Sequence, residues 1–188
     1  MGADPKRQKG GAKMRKIFSF DAETNGLLGR AFALSAVVLE NGIETARFIE
    51  RCPIEGEVDG WVKENVLPQM ADIPVTCTSY EEMLRKFFGF FKEHKNDSDV
   101  IFHMGLPVEA RVIIDAHDLG ILGAFEGAYP WIDLSGVLLG KGFDPTTVDG
   151  YNASHNIVVS MDDVIGGTHN PLYDSRAAAL CYLDLMRG

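Results

Sequence analysis

Two acidic side chains separated by one residue follow a hydrophobic segment near the start of the chain. The segment from Arg15 to Asp21 reads RKIFSFD, which is typical of a buried strand, and it continues into Ala22 and Glu23. Because side chains alternate along a strand, Asp21 and Glu23 lie on one face. Neighbouring carboxylates repel each other unless a cation compensates, and Mg²⁺ and Mn²⁺ prefer carboxylate oxygens. The spacing predicts a hard-metal site, although a solvated strand end has the same pattern.

A histidine and a further aspartate lie near the other end of the chain. Asn170 and Pro171 are a typical helix start, and we predict a helix from there to about Met186. His169 comes just before this start, and Asp174 falls in the first turns. A helix N-terminus favours anions, so both side chains could face a metal-bound phosphate there. A dipole-stabilised aspartate and an exposed loop histidine would give the same pair.

The two ends of the chain together resemble a known group of nucleases. The stretch from Phe20 to Leu27, FDAETNGL, looks like the first exonuclease motif of the DEDDh (DnaQ-like) 3′-to-5′ exonuclease superfamily. The stretch from His169 to Ala177, HNPLYDSRA, is similar to its third motif, in which a histidine precedes a metal-binding aspartate that opens a helix. The motifs occur in the expected order and bracket most of the chain. The resemblance implies an RNase H-like fold.

The middle motif, usually a strand ending in a His-Asn-type pair before an aspartate at a helix start, matches less well. Here the strand VIFHM leads to Gly105, where asparagine is common, and to Glu109, where aspartate is expected. Glu109 can ligate a metal through one more methylene, but octahedral Mg²⁺ tolerates misplacement poorly. Glu109 is our first choice for the fourth acid, and Asp115 and Asp133 are the alternatives. We expect His103 to be packed or adjacent to substrate rather than to act as the base.

The resemblance implies a metal-dependent 3′-to-5′ exonuclease, which hydrolyses phosphodiester bonds at the 3′ end of single-stranded DNA or RNA with two Mg²⁺ or Mn²⁺ ions. It implies that Asp21, Glu23 and Asp174 hold these ions. Glu109 would assist through a metal or its bound water, and His169 would take the proton from the attacking water. A histidine suits this role because its ordinary pKa of about 6.5 leaves it neutral and able to accept a proton.

The same resemblance implies a nucleotide-binding role for the residues after Glu23. The backbone of Thr24, Asn25, Gly26 and Leu27 would contact the terminal nucleotide, and the Leu27 side chain would give the base an apolar surface. DNA and RNA are alternative substrates at this point, because recognition of the 2′-hydroxyl depends on details of a pocket. The sequence indicates no particular oligomeric state.

Two other functions are compatible with these residues. A non-catalytic RNase H-like module for nucleic-acid binding or interaction is favoured by the irregular middle motif, whereas the retained histidine and acids argue against it. A metal-dependent phosphatase or nucleotide hydrolase could use the same ions on small molecules. The sequence has no Walker-type glycine loop and no Gly-x-Ser-x-Gly elbow, so nucleotide-driven and covalent mechanisms have little support.

The elements around the motifs predict an α/β fold. In chain order they are strands at 15–21, 32–39 and 44–52, helices at 58–67 and 80–94, a strand at 99–104, a helix at 107–118, a strand at 129–134, a helix at 135–139, a loop-rich stretch at 141–167 and a helix at 170–186. The Asn41-Gly42 pair is a strong hairpin signal. Three antiparallel strands, then alternating helices and strands, predict an RNase H-like mixed sheet with parallel later strands, flanked by helices.

Length and composition predict one exonuclease domain over residues 15–188 after a disordered leader at 1–14, in a chain of 188 residues of which 46% are hydrophobic. No apolar stretch approaches the roughly 20 residues that cross a bilayer, and no signal peptide is visible, so we expect a cytoplasmic protein with no membrane partner. The three cysteines, Cys52, Cys77 and Cys181, lack paired spacing, which favours reduced thiols over disulfides or zinc.

The formal charge of -9 excludes one class of nucleic-acid protein. Proteins that coat a phosphate backbone gain their affinity from clustered Lys and Arg, whereas in this chain the acidic residues outnumber the basic ones and the basic cluster is confined to the leader. Acidity alone does not exclude nucleic acid as a substrate. A carboxylate cluster loaded with divalent cations presents positive charge to phosphate.

Overall fold

The computed structural model describes residues 16–187; the predicted leader at 1–14 lies outside them. Within these residues a five-stranded sheet has the order β3-β2-β1-β4-β5. The strands are β1 (Lys16–Thr24), β2 (Ala31–Glu40), β3 (Ile43–Arg51), β4 (Ser98–Phe102) and β5 (Ile132–Asp133). The first three are antiparallel, whereas β4 runs parallel to β1 and β5 parallel to β4. The predicted mixed sheet is confirmed.

Helices cover both faces of this sheet. The described part of the chain has the α-helices α1 (Tyr80–His94), α2 (Val108–Asp118), α3 (Leu134–Gly140), α4 (Val148–Ser154) and α5 (Pro171–Leu185). A π-helical turn (Val62–Val66) and a 3₁₀ turn (Leu67–Met70) precede α1. Among residues 16–187, no helix combines the length and apolar character needed to cross a membrane.

β1 is the central strand, and it is buried on both faces. Phe18 and Phe20 belong to a core cluster that includes α1, and the Phe18 ring lies edge-on to Phe91 with 5.5 Å between their centroids. Ile17 belongs to a second cluster with residues of α5. The alternation of side chains along β1 therefore packs α1 against one face and α5 against the other. This sandwich fixes the position of the acids at the end of β1.

The hairpin between β2 and β3 forms at the predicted pair. Asn41 has a φ of 58° and Gly42 a φ of 87°, the left-handed conformation that a tight two-residue turn requires. Helix α1 spans 80–94 as predicted, and Ser79 caps it by accepting a hydrogen bond from the Glu82 backbone N–H at 3.2 Å.

Three predicted elements are wrong in extent or kind. The helix expected at 58–67 begins at Gly60, because the Asp59 carboxylate caps it by accepting from the Trp61 and Val62 N–H groups, and it continues as the π-helical and 3₁₀ turns to Met70. The strand expected at 129–134 shrinks to two residues, Ile132–Asp133, since Pro130 has no N–H to donate to a sheet. The stretch at 141–167, expected to be loop-rich, contains α4. The helix was not predicted because the stretch is rich in glycine and polar residues. It begins at Val148, after the capping residue Thr147, whose hydroxyl accepts from the Gly150 N–H at 2.9 Å.

The packing of α1 on β1 predicts a large stability loss in Phe87→Ala. Phe87 is 1% exposed and its ring lies 5.4 Å from that of Phe20. Removing it should lower the free energy of unfolding by about 3–5 kcal/mol in a urea titration. Phe125→Ala, at a ring that is 91% exposed, is the matched control and should stay within about 0.5 kcal/mol. Equal losses in the two variants would contradict this view of the core.

Candidate metal centre

The end of β1 extends past its neighbour in the sheet. β1 pairs with β4 only from Lys16 to Ser19, so Asp21 and Glu23 lie beyond that pairing, on a strand held by β2 alone. The first turns of α5 bring Asp174 to the same place. Carboxylate oxygens of Asp21, Glu23 and Asp174 all lie within 4.8 Å of one another, close enough to hold a metal ion. The predicted meeting of acids from opposite ends of the chain therefore occurs.

Buried hydroxyl groups attach the start of α5 to the sheet. Ser35 of β2 donates to the Pro171 carbonyl at 2.6 Å and shares a hydrogen bond of 2.6 Å with the Ser175 hydroxyl. The Asn170 side chain caps α5 by accepting from the Leu172 N–H at 3.2 Å. Because Ser35 pairs with Asp21 in the β1–β2 register, this attachment sets the distance between Asp21 and the start of α5.

Glu109 lies against the backbone between the first two acids. It projects from the first turn of α2, is 3% exposed, and its Oε1 accepts a hydrogen bond from the Ala22 N–H at 3.1 Å. Beyond the end of β4, this carboxylate takes the place of a strand partner for β1. Glu109, where the motif led us to expect an aspartate, therefore lies in the same cavity beside the three acids, but it is not among the carboxylates that lie within 4.8 Å of one another.

The two alternative fourth acids form hydrogen bonds elsewhere. Asp115 accepts from the Tyr80 hydroxyl at 2.9 Å and from Arg111 Nε at 2.6 Å. Asp133 caps α3 by accepting from the Ser135 N–H at 2.9 Å, and it also accepts from Met104 N–H at 3.1 Å. The cavity that contains Glu109 is lined by neither of these aspartates.

The acids line an open cavity of about 290 Å³. Its other walls include His103 and the segment 146–149. The segment 146–149 lies outside all three sequence motifs. His103 is packed at the cavity wall, where its Nε2 lies 2.9 Å from the Pro145 carbonyl oxygen. Asp149 of α4 accepts from the Thr168 hydroxyl at 2.8 Å and from the Tyr173 hydroxyl at 3.0 Å. Threonine at 147 with an acid two residues later is a helix-start signal that could have revealed this wall.

His169 lies at the rim of the acidic cluster. Its backbone has a φ of 71°, and its N–H donates to Asp174 Oδ2 at 2.8 Å. Its Nδ1 lies 4.0 Å from Glu23 Oε1, and its ring meets the Trp61 ring edge-on at 5.1 Å between centroids. Partial burial lowers the pKa of His169 below its ordinary value, which favours the neutral imidazole.

The pKa values of all four carboxyl groups in the cavity are raised. Burial raises the pKa of Asp21 to about 7. Burial, and then the Asp21 charge, raise the pKa values of Glu23, Glu109 and Asp174 well above their ordinary values. Within residues 16–187 no lysine or arginine forms an ion pair with these acids. A group of buried hard oxygen donors with no cation from the described chain fits Mg²⁺ or Mn²⁺.

In the loop predicted to contact the nucleotide, the Asn25 side chain is bound by the protein, whereas Leu27 is exposed. Both ends of the Asn25 side-chain amide are engaged: Oδ1 accepts from the Asp59 N–H at 2.8 Å, and Nδ2 donates to the Glu57 carbonyl at 2.9 Å. Thr24 ends β1, and Gly26 turns the chain with a φ of 76°. Leu27 is 69% exposed and free to meet a ligand.

Comparison with known proteins identifies the fold. No protein-family model matches the chain, and no curated protein matches it. A solved structure described as Exonuclease X in complex with 5′ overhanging duplex DNA superposes with a TM-score of 0.58 at 18% sequence identity, covering 93% of this chain and 92% of that chain. At this identity the likeness shows the fold alone, which is RNase H-like.

The shifted carboxyl groups predict that the metal-free protein loses stability as pH rises. A carboxyl whose pKa is raised on folding contributes stability that is present below its unfolded pKa and is lost as pH rises through the folded value, about 7 for Asp21. In EDTA the melting temperature should therefore fall between pH 5 and pH 8, and Asp21→Asn should reduce that fall. A difference of about 1 kcal/mol corresponds to roughly 2–4 °C.

Divalent ions and a surface variant complete this test. Mg²⁺ or Mn²⁺ at pH 8 should raise the melting temperature of the wild type more than that of Asp21→Asn, because a bound ion compensates the charges. Asp118→Asn, at an exposed acid outside the cavity, is the control and should behave as the wild type. An identical pH dependence in wild type and Asp21→Asn would contradict the electrostatic account.

Proposed function

We propose that this protein is a metal-dependent 3′-to-5′ exonuclease that hydrolyses phosphodiester bonds at the 3′ end of single-stranded DNA or RNA. The observation that carries the proposal is the meeting of Asp21, Glu23 and Asp174 within 4.8 Å, beside the His169 ring in one open cavity. The resemblance of both terminal motifs to the DEDDh superfamily supports it. The similarly folded solved structure, an exonuclease in complex with DNA, supports nucleic acid as the substrate class.

In this proposal Asp21, Glu23 and Asp174 hold two Mg²⁺ or Mn²⁺ ions. The ions would supply activation of water and stabilisation of the leaving 3′ oxygen. Glu109 assists from α2, where its hydrogen bond from Ala22 N–H holds its carboxylate beside the two β1 acids. The net charge of -9 is compatible with a phosphate substrate because a carboxylate cluster loaded with divalent cations would present positive charge to phosphate.

His169 acts as the general base in this proposal. Burial lowers its pKa, so the imidazole is neutral near pH 7 and can accept the proton of an attacking water. Its side chain is 39% exposed, which leaves the ring accessible from the cavity. The hydrogen bond from the His169 backbone N–H to Asp174 connects the residue that carries the base to a proposed metal ligand.

The strand's continuation supplies the nucleotide contacts. The Asn25 amide is already engaged, so Thr24, Asn25 and Gly26 would contact the terminal nucleotide through their backbone, and Leu27 would provide the apolar surface. A cytoplasmic location belongs to the same proposal, and the buried, free cysteines are compatible with a reducing compartment.

Cleavage of end-labelled strands tests the activity and its direction. With 5′-labelled single-stranded DNA or RNA and Mn²⁺ or Mg²⁺, we expect a ladder of progressively shorter labelled products. His169→Ala should slow it by about 10²–10⁴-fold, as expected for loss of a general base. His155→Ala, at an exposed histidine outside the cavity, is the matched control.

Each alternative outcome of this assay has a definite meaning. Immediate release of a labelled mononucleotide would indicate the opposite direction. Cleavage restricted to mono- or dinucleotides would favour a small-molecule hydrolase, and no cleavage of single strands or of a 5′ overhanging duplex would favour a binding module.

Substitution of the acids identifies the fourth carboxylate. Glu109→Gln keeps an acceptor for the Ala22 N–H but removes the charge, and we expect cleavage to slow by about 10- to 100-fold. Asp133→Asn keeps the cap of α3 and should leave the rate within about twofold, because Asp133 lies outside the cavity. Loss of activity in Asp133→Asn with retention in Glu109→Gln would reverse the assignment. Melting temperatures of both variants establish that they fold.

A further inference from the structure

A tryptophan with no place in the hydrophobic core covers one side of the His169 ring. Trp61 is 56% exposed, an unusual state for so large an apolar side chain. Its ring meets that of His169 at 88°, with 5.1 Å between centroids. This is the edge-to-face arrangement that aromatic rings prefer.

The backbone that carries Trp61 is fixed by one carboxylate. Asp59 Oδ1 accepts from the Trp61 N–H at 2.9 Å and from the Val62 N–H at 3.2 Å, which opens the π-helical turn. The Asp59 carboxylate also lies directly over Gly26, where an added Cβ would be 3.5 Å from Oδ2. The π-helical turn therefore packs against the loop that follows β1.

Asn25 joins this turn to β1. Through the two hydrogen bonds already described, its side-chain amide holds the backbone at Glu57 and Asp59, which are more than thirty positions along the chain. Its own N–H donates to the Arg30 carbonyl at 3.1 Å, so the loop that bears Asn25 is closed on itself. Both polar ends of the Asn25 side chain are therefore committed to the protein, which leaves its backbone for the proposed nucleotide contact.

The orientation of the His169 ring is not fixed by the hydrogen bond of its backbone. Its backbone is set by the hydrogen bond to Asp174 and by the left-handed φ of 71°. The ring still turns about its side-chain bonds, and Glu23 lies too far away, at 4.0 Å, to fix it by a hydrogen bond. Among the described residues, the Trp61 ring is the aromatic ring that contacts the imidazole.

We propose that Trp61 is a positioning residue for His169, and that Asn25 and Asp59 act with it by holding its turn against the end of β1. This inference rests on the proposed function, because it gives His169 the role of the base. The strand that supplies Asp21 and Glu23 then also determines where the imidazole points. Small displacements of a reacting group can cost on the order of 10²-fold in rate.

Steady-state kinetics on a short single-stranded oligonucleotide test this role. Trp61→Ala should lower kcat by about 10- to 100-fold with KM within about twofold, because the base is misplaced and binding is intact. Trp61→Phe should restore most of the rate, since it keeps an aromatic ring against His169. Phe125→Ala, at an exposed aromatic ring outside the cavity, is the control for loss of a surface ring.

A double-mutant cycle separates positioning from direct substrate contact. If Trp61 acts through His169, then Trp61→Ala should cause no further loss of rate in the His169→Ala background. Asp59→Ala should behave like Trp61→Ala, and Asp59→Asn, which keeps an acceptor for the Trp61 N–H, should retain most of the rate. Asn25→Ala should lower kcat to a similar extent and also raise KM, because its loop is proposed to contact the nucleotide. Additive losses together with a raised KM in Trp61→Ala would overturn the proposal.

NMR of the histidine rings tests the contact without metal, substrate or activity. The chain has five histidines, and His169→Ala assigns the relevant ring signal. Trp61→Ala, Asn25→Ala and Asp59→Ala should each shift that signal, because the ring current of Trp61 is lost or moved, while the melting temperature changes little. An unshifted signal in Asn25→Ala and Asp59→Ala overturns the proposal even if the enzyme is active. Shifted signals in a protein that cleaves no strand would refute the nuclease function and leave the structural link intact.

Discussion

The repulsion among four carboxyl groups is the constraint on which the rest of this structure depends. Asp21, Glu23, Glu109 and Asp174 come from one strand and two helices and are brought into one cavity, where burial raises their pKa values. Holding them together costs free energy that only the surrounding packing can supply. Strand β1, buried between α1 and α5, provides that rigidity.

Regular, local signals made much of the architecture predictable from sequence. Alternation along β1 placed Asp21 and Glu23 on one side, the Asn-Gly pair marked the hairpin, and the amphipathic pattern of α1 gave both of its ends. These features depend on backbone geometry within a few residues. The meeting of Asp21 with Asp174 is a long-range contact, and the prediction of it rested on the resemblance of two motifs.

The rest of the site depends on tertiary contacts that leave little trace in the sequence. Glu109 departs from the expected residue type, and its position became clear only from its hydrogen bond with the Ala22 backbone. The cavity wall formed by α4 was not predicted, because α4 lies in a stretch rich in polar residues. Nothing near Asn25 in sequence indicates that its amide binds the segment at 57–59, because hydrogen bonds across such separations are set by the fold.

The attachment of α5 to β2 through Ser35 and Ser175 has a consequence for when the molecule becomes competent. Asp21 and Glu23 lie on the first strand of the described residues, whereas Asp174 and the His169 imidazole lie at the start of α5, more than a hundred residues later. A chain emerging from the ribosome therefore holds only part of the acidic cluster until α5 docks. The acids of the cavity would come together in a single late step, and a nascent or partly unfolded copy would lack the complete cluster.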